Sequence, residues 1–232
     1  MKLYVGTSGF AYKEWIGPFY APGTRDSQWL GSYARRLKVV EINTTFYRFP
    51  TAAGLSAWVA QVPSHFRFAI KAPRRITHVK RLRDVDGELS HLVDTVKVLG
   101  NRLGPLLFLL PPRMPLNIDA LRDMLCQAPP GLQIAFAFRD PQWLRDSVFS
   151  LLSEHDCAVC FEDALMPAPV VTTDWGYVRL RRPQYSDASL AAAAAQVLAQ
   201  PWRTAYVFIK HEAPDSPLLA QRFATLANLS VS

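Results

Sequence analysis

Cationic side chains recur at one place in the sequence pattern, at or just beyond the ends of short apolar segments. Five such residues are found: Lys71, Arg139, Arg179, Arg181 and Lys210. Arginine and lysine bind phosphate and carboxylate groups through charge-assisted hydrogen bonds. If the apolar segments are strands of one barrel, their ends converge, and these cations are expected to form a site for a small anion.

Acid–base chemistry beside those cations requires a different set of side chains. Glu41 lies within an apolar segment, where a carboxylate must be paired or functional, so we expect it to orient Lys71 or to act as a base. His78 follows the segment that ends at Lys71 and has the chemistry to move a proton. The candidate catalytic residues are therefore Glu41, Lys71 and His78. A purely structural ion pair at Glu41 is the alternative interpretation.

The candidate ligand-binding residues follow from their places at the ends of the same segments. They are Asn43, Thr77, Arg139, Arg179, Arg181, Lys210 and His211. A small anionic ligand is the expected partner. No cofactor can be named from the pattern, and no metal site is predicted.

Alternating strands and helices are predicted around these residues. Runs of four to six mostly apolar residues, typical of strands buried on both faces, recur at 3–7, 39–42, 66–70, 106–110, 134–138, 158–161, 177–180 and 205–209. Helical patterns occur at 27–37, 52–61, 85–101, 119–126, 147–155, 188–199 and 217–229. The link at 165–173 is short and broken by prolines, so no helix is expected there.

Eight strands with about seven helices in 232 residues predict a single (β/α)8 barrel over residues 1–232. An open doubly wound sheet is the alternative, but the Gly6–Gly9 segment lacks the G-x-G-x-x-G spacing typical of such sheets. Active sites of barrels lie at the carboxyl ends of the strands. The candidate residues are therefore expected at the carboxyl-terminal mouth.

Side-chain alternation predicts which residues face the barrel interior. In strand two, Val40 and Ile42 should face the helices, which places Glu41 and Asn43 inside. The same rule turns Lys71 and Arg139 inward and places Arg179 and Arg181 on one shared face of strand seven. Since Lys71 then shares the interior with Glu41, the two are expected to be partners.

The charge distribution supports a second hypothesis, nucleic-acid binding. The formal net charge is +7, and residues 1–110 carry 16 basic and 7 acidic side chains. The stretch from Lys71 to Arg83 contains no acid, and Tyr12, Trp15 and Tyr20 in the loop after strand one could stack on bases. A solvated basic surface and a satellite aromatic core are the alternative interpretations.

Composition excludes several classes of protein. Half of the residues are apolar and 12% are aromatic, which is unlike a disordered chain. Three cysteines are too few for a disulfide scaffold, no apolar run approaches the length of a membrane span, and the amino terminus lacks a secretory pattern. We therefore expect a soluble cytoplasmic protein without a membrane partner. The oligomeric state is left open.

Several long motifs resemble the domain-of-unknown-function-72 family, also called YecE-like proteins. The resemblance spans nearly the whole chain, and its most specific stretches are Gly6–Phe10, Val40–Tyr47 and Phe66–Lys71 with Ile76–His78. It implies a TIM-barrel fold and polar motif positions at the mouth of the barrel. It adds Tyr47 to the candidate ligand-binding residues and agrees with Glu41, Asn43, Lys71, Thr77, His78, Arg139 and Arg179.

The chain departs from that family pattern in strand five. Relatives usually read Glu-x-Arg-His-x-Ser-Trp there, whereas this chain has Ala137 in place of the glutamate and keeps Arg139 and Trp143. The mouth thus loses an acid, which favours anion binding over acid–base catalysis. A non-enzymatic or degenerate barrel that acts as an adaptor is therefore a third hypothesis.

Overall fold

Eight parallel strands close into a barrel in the order in which they occur along the chain. This computed structural model describes residues 1–210 and 214–229. The strands are β1 (Lys2–Ser8), β2 (Val39–Ile42), β3 (Arg67–Lys71), β4 (Leu103–Leu109), β5 (Ile134–Ala137), β6 (Ala158–Glu162), β7 (Trp175–Leu180) and β8 (Thr204–Ile209). Hydrogen bonding between β8 and β1 completes the circle. The predicted (β/α)8 barrel is confirmed.

Helices cover the outside of the barrel. Within the described residues they are α1 (Asp26–Ala34), α2 (Ala52–Val59), α3 (Asp86–Val96), α4 (Ile118–Gln127), α5 (Asp146–Glu154), α6 (Asp187–Leu198) and α7 (Ser216–Leu229). The proline-broken link between β6 and β7 contains no helix, as predicted. Three boundaries were wrong by three residues or more. The helix expected over 27–37 ends at Ala34, and the strand expected over 106–110 begins at Leu103. The helix expected over 85–101 ends at Val96, and a 3-10 segment follows in which Gly100 is not helical.

Side chains alternate between an inner and an outer apolar layer along each strand. The inner cluster comprises Tyr4, Val39, Ala69, Leu107, Ala135, Ala137, Ala158, Cys160, Trp175, Tyr177, Tyr206 and Phe208. The outer residues pack against the helices in a larger cluster. Strands β1 and β2 approach so closely at Gly6 that an added Cβ would lie 1.8 Å from the carbonyl oxygen of Val39. Glycine is therefore required where the first two strands meet.

The aromatic loop after β1 forms a satellite core. Trp15, Phe19 and Tyr20 are buried, and the Tyr20 ring stacks on Trp29 of α1 with centroids 5.8 Å apart. Two of the three rings considered for base stacking, Trp15 and Tyr20, are therefore inaccessible, and Tyr12 is half-buried. Of the two interpretations of this loop, the structure bears out the satellite core.

Across residues 1–210 and 214–229, no helix combines the length and apolar character that crossing a bilayer requires.

Candidate functional site

A carboxylate buried inside the barrel accepts hydrogen bonds from several elements. Glu41 lies on β2 and is fully buried. Its Oε1 accepts from Ser8 Oγ at 2.9 Å, from Arg179 Nη2 at 3.1 Å and from Asn43 Nδ2 at 3.2 Å. Its Oε2 accepts from the Tyr177 hydroxyl at 2.7 Å. The inward orientation predicted for Glu41 is confirmed, and its charge is fully compensated by these donors.

Arg179 connects Glu41 to a second buried carboxylate, Glu162 at the end of β6. Arg179 Nη1 donates to Glu162 Oε1 at 3.1 Å. Arg139 Nη2 lies 2.9 Å and Arg181 Nε 3.7 Å from the other oxygen, Oε2. We call Glu41, Glu162, Arg139, Arg179 and Arg181 the mouth network. The inward position predicted for Arg139 is confirmed, and Arg179 and Arg181 share one face of β7 as predicted, the inner one.

The electrostatics of the network hold its central pair in the charged form. Burial raises the pKa of Glu41, but Arg179 and the hydrogen bonds from Tyr177 and Ser8 outweigh it, so the pKa is lowered. Burial lowers the pKa of Arg179, but the charges of Glu41 and Glu162 outweigh burial, so this pKa is raised above its ordinary value. Among the described residues, Nε of Arg179 finds no acceptor, which leaves one buried donor in the network for a bound water or ligand.

Lys71 lies above the network and is not the partner of Glu41, which corrects the expected pairing. The register of β2 and β3 sets Glu41 beside Ala69, so Lys71 lies one layer nearer the mouth. Its Nζ sits 4.0 Å from the centroid of the Phe46 ring, a cation–π contact. In the described part of the chain, no carboxylate approaches this amine within 4 Å.

The surroundings of Lys71 disfavour its charge. Burial is the main cause, and repulsion from Arg179, Arg181 and Arg139 adds to it against a weaker attraction from Glu41. Together these lower the pKa of the amine from 10.5 to about 8. Lys71 is therefore a half-buried cation in a field that is already positive.

Thr77 and His78 lie in a π-helical turn over Arg75–Val79, immediately after β3. Such turns occur frequently at functional sites. Thr77 Oγ1 and His78 Nδ1 are 2.8 Å apart, which orients the imidazole, and the ring packs edge-on against Phe46 at 4.9 Å. Burial, then the charges of Lys71 and Arg74, lowers the pKa of His78. The imidazole is therefore neutral at pH 7 and able to accept a proton.

The remaining sequence-predicted residues lie farther from the network or outside the described chain. Tyr47 follows a 3-10 turn and is 73% exposed, with its ring against Phe46. Lys210, just after β8, lines a separate pocket of about 270 Å³ with Arg182 and Tyr185. His211 lies outside the described residues. Ligand contact by these three residues stays a prediction.

The basic stretch from Lys71 to Arg83 is partly neutralised, which corrects the sequence interpretation. Glu88 of α3 reaches back to it, with Oε1 at 2.6 Å from Arg75 Nε and Oε2 at 2.8 Å from Lys80 Nζ. Those two hydrogen bonds are the main reason that the pKa of Glu88 falls to about 2. The positive surface available to a polyanion is therefore smaller than the sequence indicates.

Two residues of the site were not among the candidates: Ser8 and Tyr177. Ser8 is the last residue of β1 and Tyr177 the third residue of β7, and each donates a hydrogen bond to Glu41. Tyr177 has the same strand parity as Arg179, and that alternation was the available signal. Ser8 offered none, because it fell just beyond the predicted strand at 3–7, although the structure includes it in β1.

A larger cleft, of about 800 Å³, lies at the opposite end of the barrel, between the amino-terminal ends of β5, β6 and β7. The carboxylates there are exposed and paired on the surface, as in Glu154 with Arg122 and Asp174 with Arg203. Surface pairs of this kind contribute little electrostatic energy. The buried charges, among which cations outnumber carboxylates, lie at the carboxyl-terminal mouth, where the active sites of barrels are found.

Fold and site together define a (β/α)8 barrel with a buried carboxylate–guanidinium network at its carboxyl-terminal mouth. The chain belongs to the family described as protein of unknown function DUF72, whose model matches residues 4–232. The resemblance seen in the sequence motifs is thereby confirmed.

Relatives of known structure share the fold over almost the entire chain. A DUF72 family protein from Thermotoga maritima is 23% identical, with a TM-score of 0.85 over 98% of this chain and all of that one. One from Enterococcus faecalis is 17% identical, with a TM-score of 0.82 over 97% of this chain and 95% of that one. The UPF0759 protein YunF from Bacillus subtilis is 27% identical over 61% of this chain. The match spans about half, 52%, of that relative.

Proposed function

We propose that this protein binds a small phosphate or carboxylate ligand at the carboxyl-terminal mouth of the barrel. Arg139, Arg181 and Lys71 are the groups assigned to the anion. Arg179, with only 3% of its side chain exposed, holds the two buried carboxylates in place beneath them. The neutral imidazole of His78 stands beside this site and suits proton transfer on the bound ligand.

The observation that carries the proposal is an excess of positive charge. The mouth network and Lys71 contain four cations and two carboxylates, which leaves two positive charges uncompensated. Arg139 and Arg181 share one oxygen of Glu162 and keep 24% and 22% of their side chains exposed. Their remaining N–H donors are therefore available to a ligand. A bound anion would relieve the mutual repulsion of these cations.

Fewer observations support nucleic-acid binding than support the binding of a small anion. Trp15 and Tyr20 are buried, so they cannot stack on bases. Arg75 and Lys80 already bind Glu88. An oligonucleotide would have to use the remaining basic residues alone, with an affinity that falls steeply as salt rises.

Calorimetric titration with orthophosphate and with oxalate tests the proposal. We expect saturable binding of at least one of them at physiological salt. Arg139→Gln and Arg181→Gln should each weaken it about 10- to 100-fold, the loss of one charge-assisted hydrogen bond. Arg35→Gln is the matched control, because Arg35 is exposed at the opposite end of the barrel, where its side chain donates to Ser32.

Two results would contradict the proposal. In the first, neither anion binds the wild type. In the second, the Arg35 variant loses as much affinity as the mouth variants, as diffuse attraction by the net charge would produce. Binding of an oligonucleotide alone, abolished by high salt, would move the assignment to the nucleic-acid hypothesis.

A further inference from the structure

Lys71 differs from the arginines around it in having no acid of its own. Arg139, Arg179 and Arg181 each lie within 4 Å of Glu41 or Glu162. In residues 1–210 and 214–229, Lys71 Nζ has no carboxylate at that distance and instead rests on an aromatic ring. An ion pair therefore does not explain why an amine occupies this position.

The local structure holds the amine in a fixed and reactive setting. Thr45 Oγ1 donates to the carbonyl oxygen of Lys71 at 2.7 Å, which fixes the backbone at the end of β3. The ring of Phe46 lies under Nζ, and the imidazole of His78 packs against the same ring. A lysine desolvated beside other cations is a recognised form of activated nucleophile.

We propose that Lys71 is a nucleophilic amine that forms a Schiff base with the carbonyl carbon of an anionic aldehyde or oxo acid. This inference rests on the proposed anion site, since Arg139 and Arg181 would hold the phosphate or carboxylate group of that substrate. It deepens that proposal by naming a reactive carbonyl as the second feature of the ligand.

The reaction is a condensation with no change in oxidation state. The lone pair of the neutral amine attacks the carbonyl carbon, a C–N bond forms, and the carbonyl π electrons move to oxygen. Two protons then pass in turn from nitrogen to that oxygen, which leaves as water, so that the C–O bond breaks and the C=N bond forms. His78 is placed to carry those protons, because its imidazole is neutral and oriented by Thr77.

Charges on every neighbouring element act on the amine. The charges of Arg179 and Arg181 at the β7 end and of Arg139 at the β5 end lower the pKa of Lys71. The charge of Glu41 on β2 raises this pKa, but by less than burial lowers it. With a pKa of about 8, roughly a tenth of Lys71 is neutral at pH 7. An ordinary lysine is neutral in only about 0.03% of molecules at that pH. The population of attacking amine is therefore raised by roughly two orders of magnitude.

Reductive trapping tests the proposal on the whole chain. The protein is incubated at pH 7 with pyruvate or glycolaldehyde phosphate and cyanoborohydride, and the modified peptides are quantified by mass spectrometry. We expect Lys71 to be modified at least about tenfold faster than Lys38, an exposed lysine at the opposite end of the barrel. Pyruvate and glycolaldehyde phosphate separate an oxo acid from a phosphorylated aldehyde.

Two variants separate this inference from the anion site on which it rests. Lys71→Arg removes the amine, so the adduct at this position should be lost while labelling of Lys38 is unchanged. The double variant Arg139→Gln/Arg181→Gln should slow trapping of glycolaldehyde phosphate more than trapping of uncharged acetone, because removal of the two charges also raises the pKa of Lys71 and slows both reactions. Phosphate binding with Lys71 trapped no faster than Lys38 would overturn the Schiff-base inference alone. Failure of phosphate and oxalate binding would overturn the proposed function as well.

Discussion

Replacement of Glu41 by glutamine tests how strongly the buried network stabilises the barrel. Glutamine has the same shape but no charge, so Arg179 keeps only Glu162 as a counter-charge. Tyr177 and Ser8 lose a charged acceptor at the same time. Breaking a buried ion pair by removing one partner costs roughly 3–5 kcal/mol. Because Glu162 still compensates Arg179, we expect the lower end of this range, about 3 kcal/mol.

The expected shift in melting temperature follows from the size of the chain. The entropy of unfolding is about 2.1 cal/mol/K per residue, or roughly 0.5 kcal/mol/K for 232 residues. A loss of about 3 kcal/mol then lowers Tm by about 6 °C. Differential scanning calorimetry of Glu41→Gln at pH 7 measures this directly.

Glu154→Gln is the matched control for that measurement. Glu154 has a 61% exposed side chain and lies 3.8 Å from Arg122, so its loss should cost less than about 1 kcal/mol. The reasoning is refuted if Glu41→Gln melts within about 1 °C of the wild type, or if both variants are destabilised equally.

The pH dependence of stability provides a second test of the charge on Glu41. The pKa of Glu41 is below its ordinary 4.5 in the folded chain, so the unfolded chain binds more protons between the two values. Its stabilisation is therefore complete above the unfolded pKa and is lost as pH falls through the folded one. The difference in Tm between wild type and Glu41→Gln should narrow in acid; a difference independent of pH would contradict the assignment.

Three further predictions follow from the same contacts. Gly176→Ala should lower Tm by several degrees in thermal denaturation, because the added Cβ would lie 2.3 Å from the Trp202 ring. Gly87→Ala should not lower Tm, because a Cβ there meets open space, and equal effects of the two substitutions would contradict this packing. Lys71→Met should be as stable as the wild type or up to about 3 kcal/mol more stable at pH 7, since it removes a charge that burial disfavours. The free energy of unfolding of the wild type should accordingly increase as pH rises from about 8 towards 10.5, and that of Lys71→Met should lack this increase. Chemical denaturation of both proteins across this pH range measures the difference. The protein should take up protons when phosphate binds near pH 8, because the anion raises the pKa of Lys71. Calorimetry in buffers of different ionisation enthalpy measures this uptake, and its absence would mean that Lys71 is remote from the anion.

The strands and their inward residues were predictable because a period of two is written directly into each short apolar run. The inward position of Glu41 follows from that rule alone. The contact of Glu41 with Arg179 across the barrel could not be predicted in this way, since it depends on the register between strands. The rule placed Lys71 on the correct face but could not show that it stands one layer above Glu41.

Residues beyond the strand ends were harder to place. Alternation stops at Ile42, and the 3-10 turn that follows leaves Tyr47 in solvent. The pairing of Arg75 and Lys80 with Glu88 likewise depends on how α3 packs against the turn after β3. In both cases tertiary packing decides the outcome, and no local pattern in the sequence records it.

Diffraction can show where the protein binds an anion and thereby tests the proposed site at the mouth. A crystal of the wild-type protein soaked in selenate, a phosphate-like anion with an anomalous signal, reveals where the charge is bound. Our account predicts a selenate within hydrogen-bond distance of Arg139 and Arg181 at the carboxyl-terminal mouth, near Lys71. An anomalous peak only beside Arg182 and Lys210 or on the surface between Arg74 and Arg83, with none at the mouth, would contradict it.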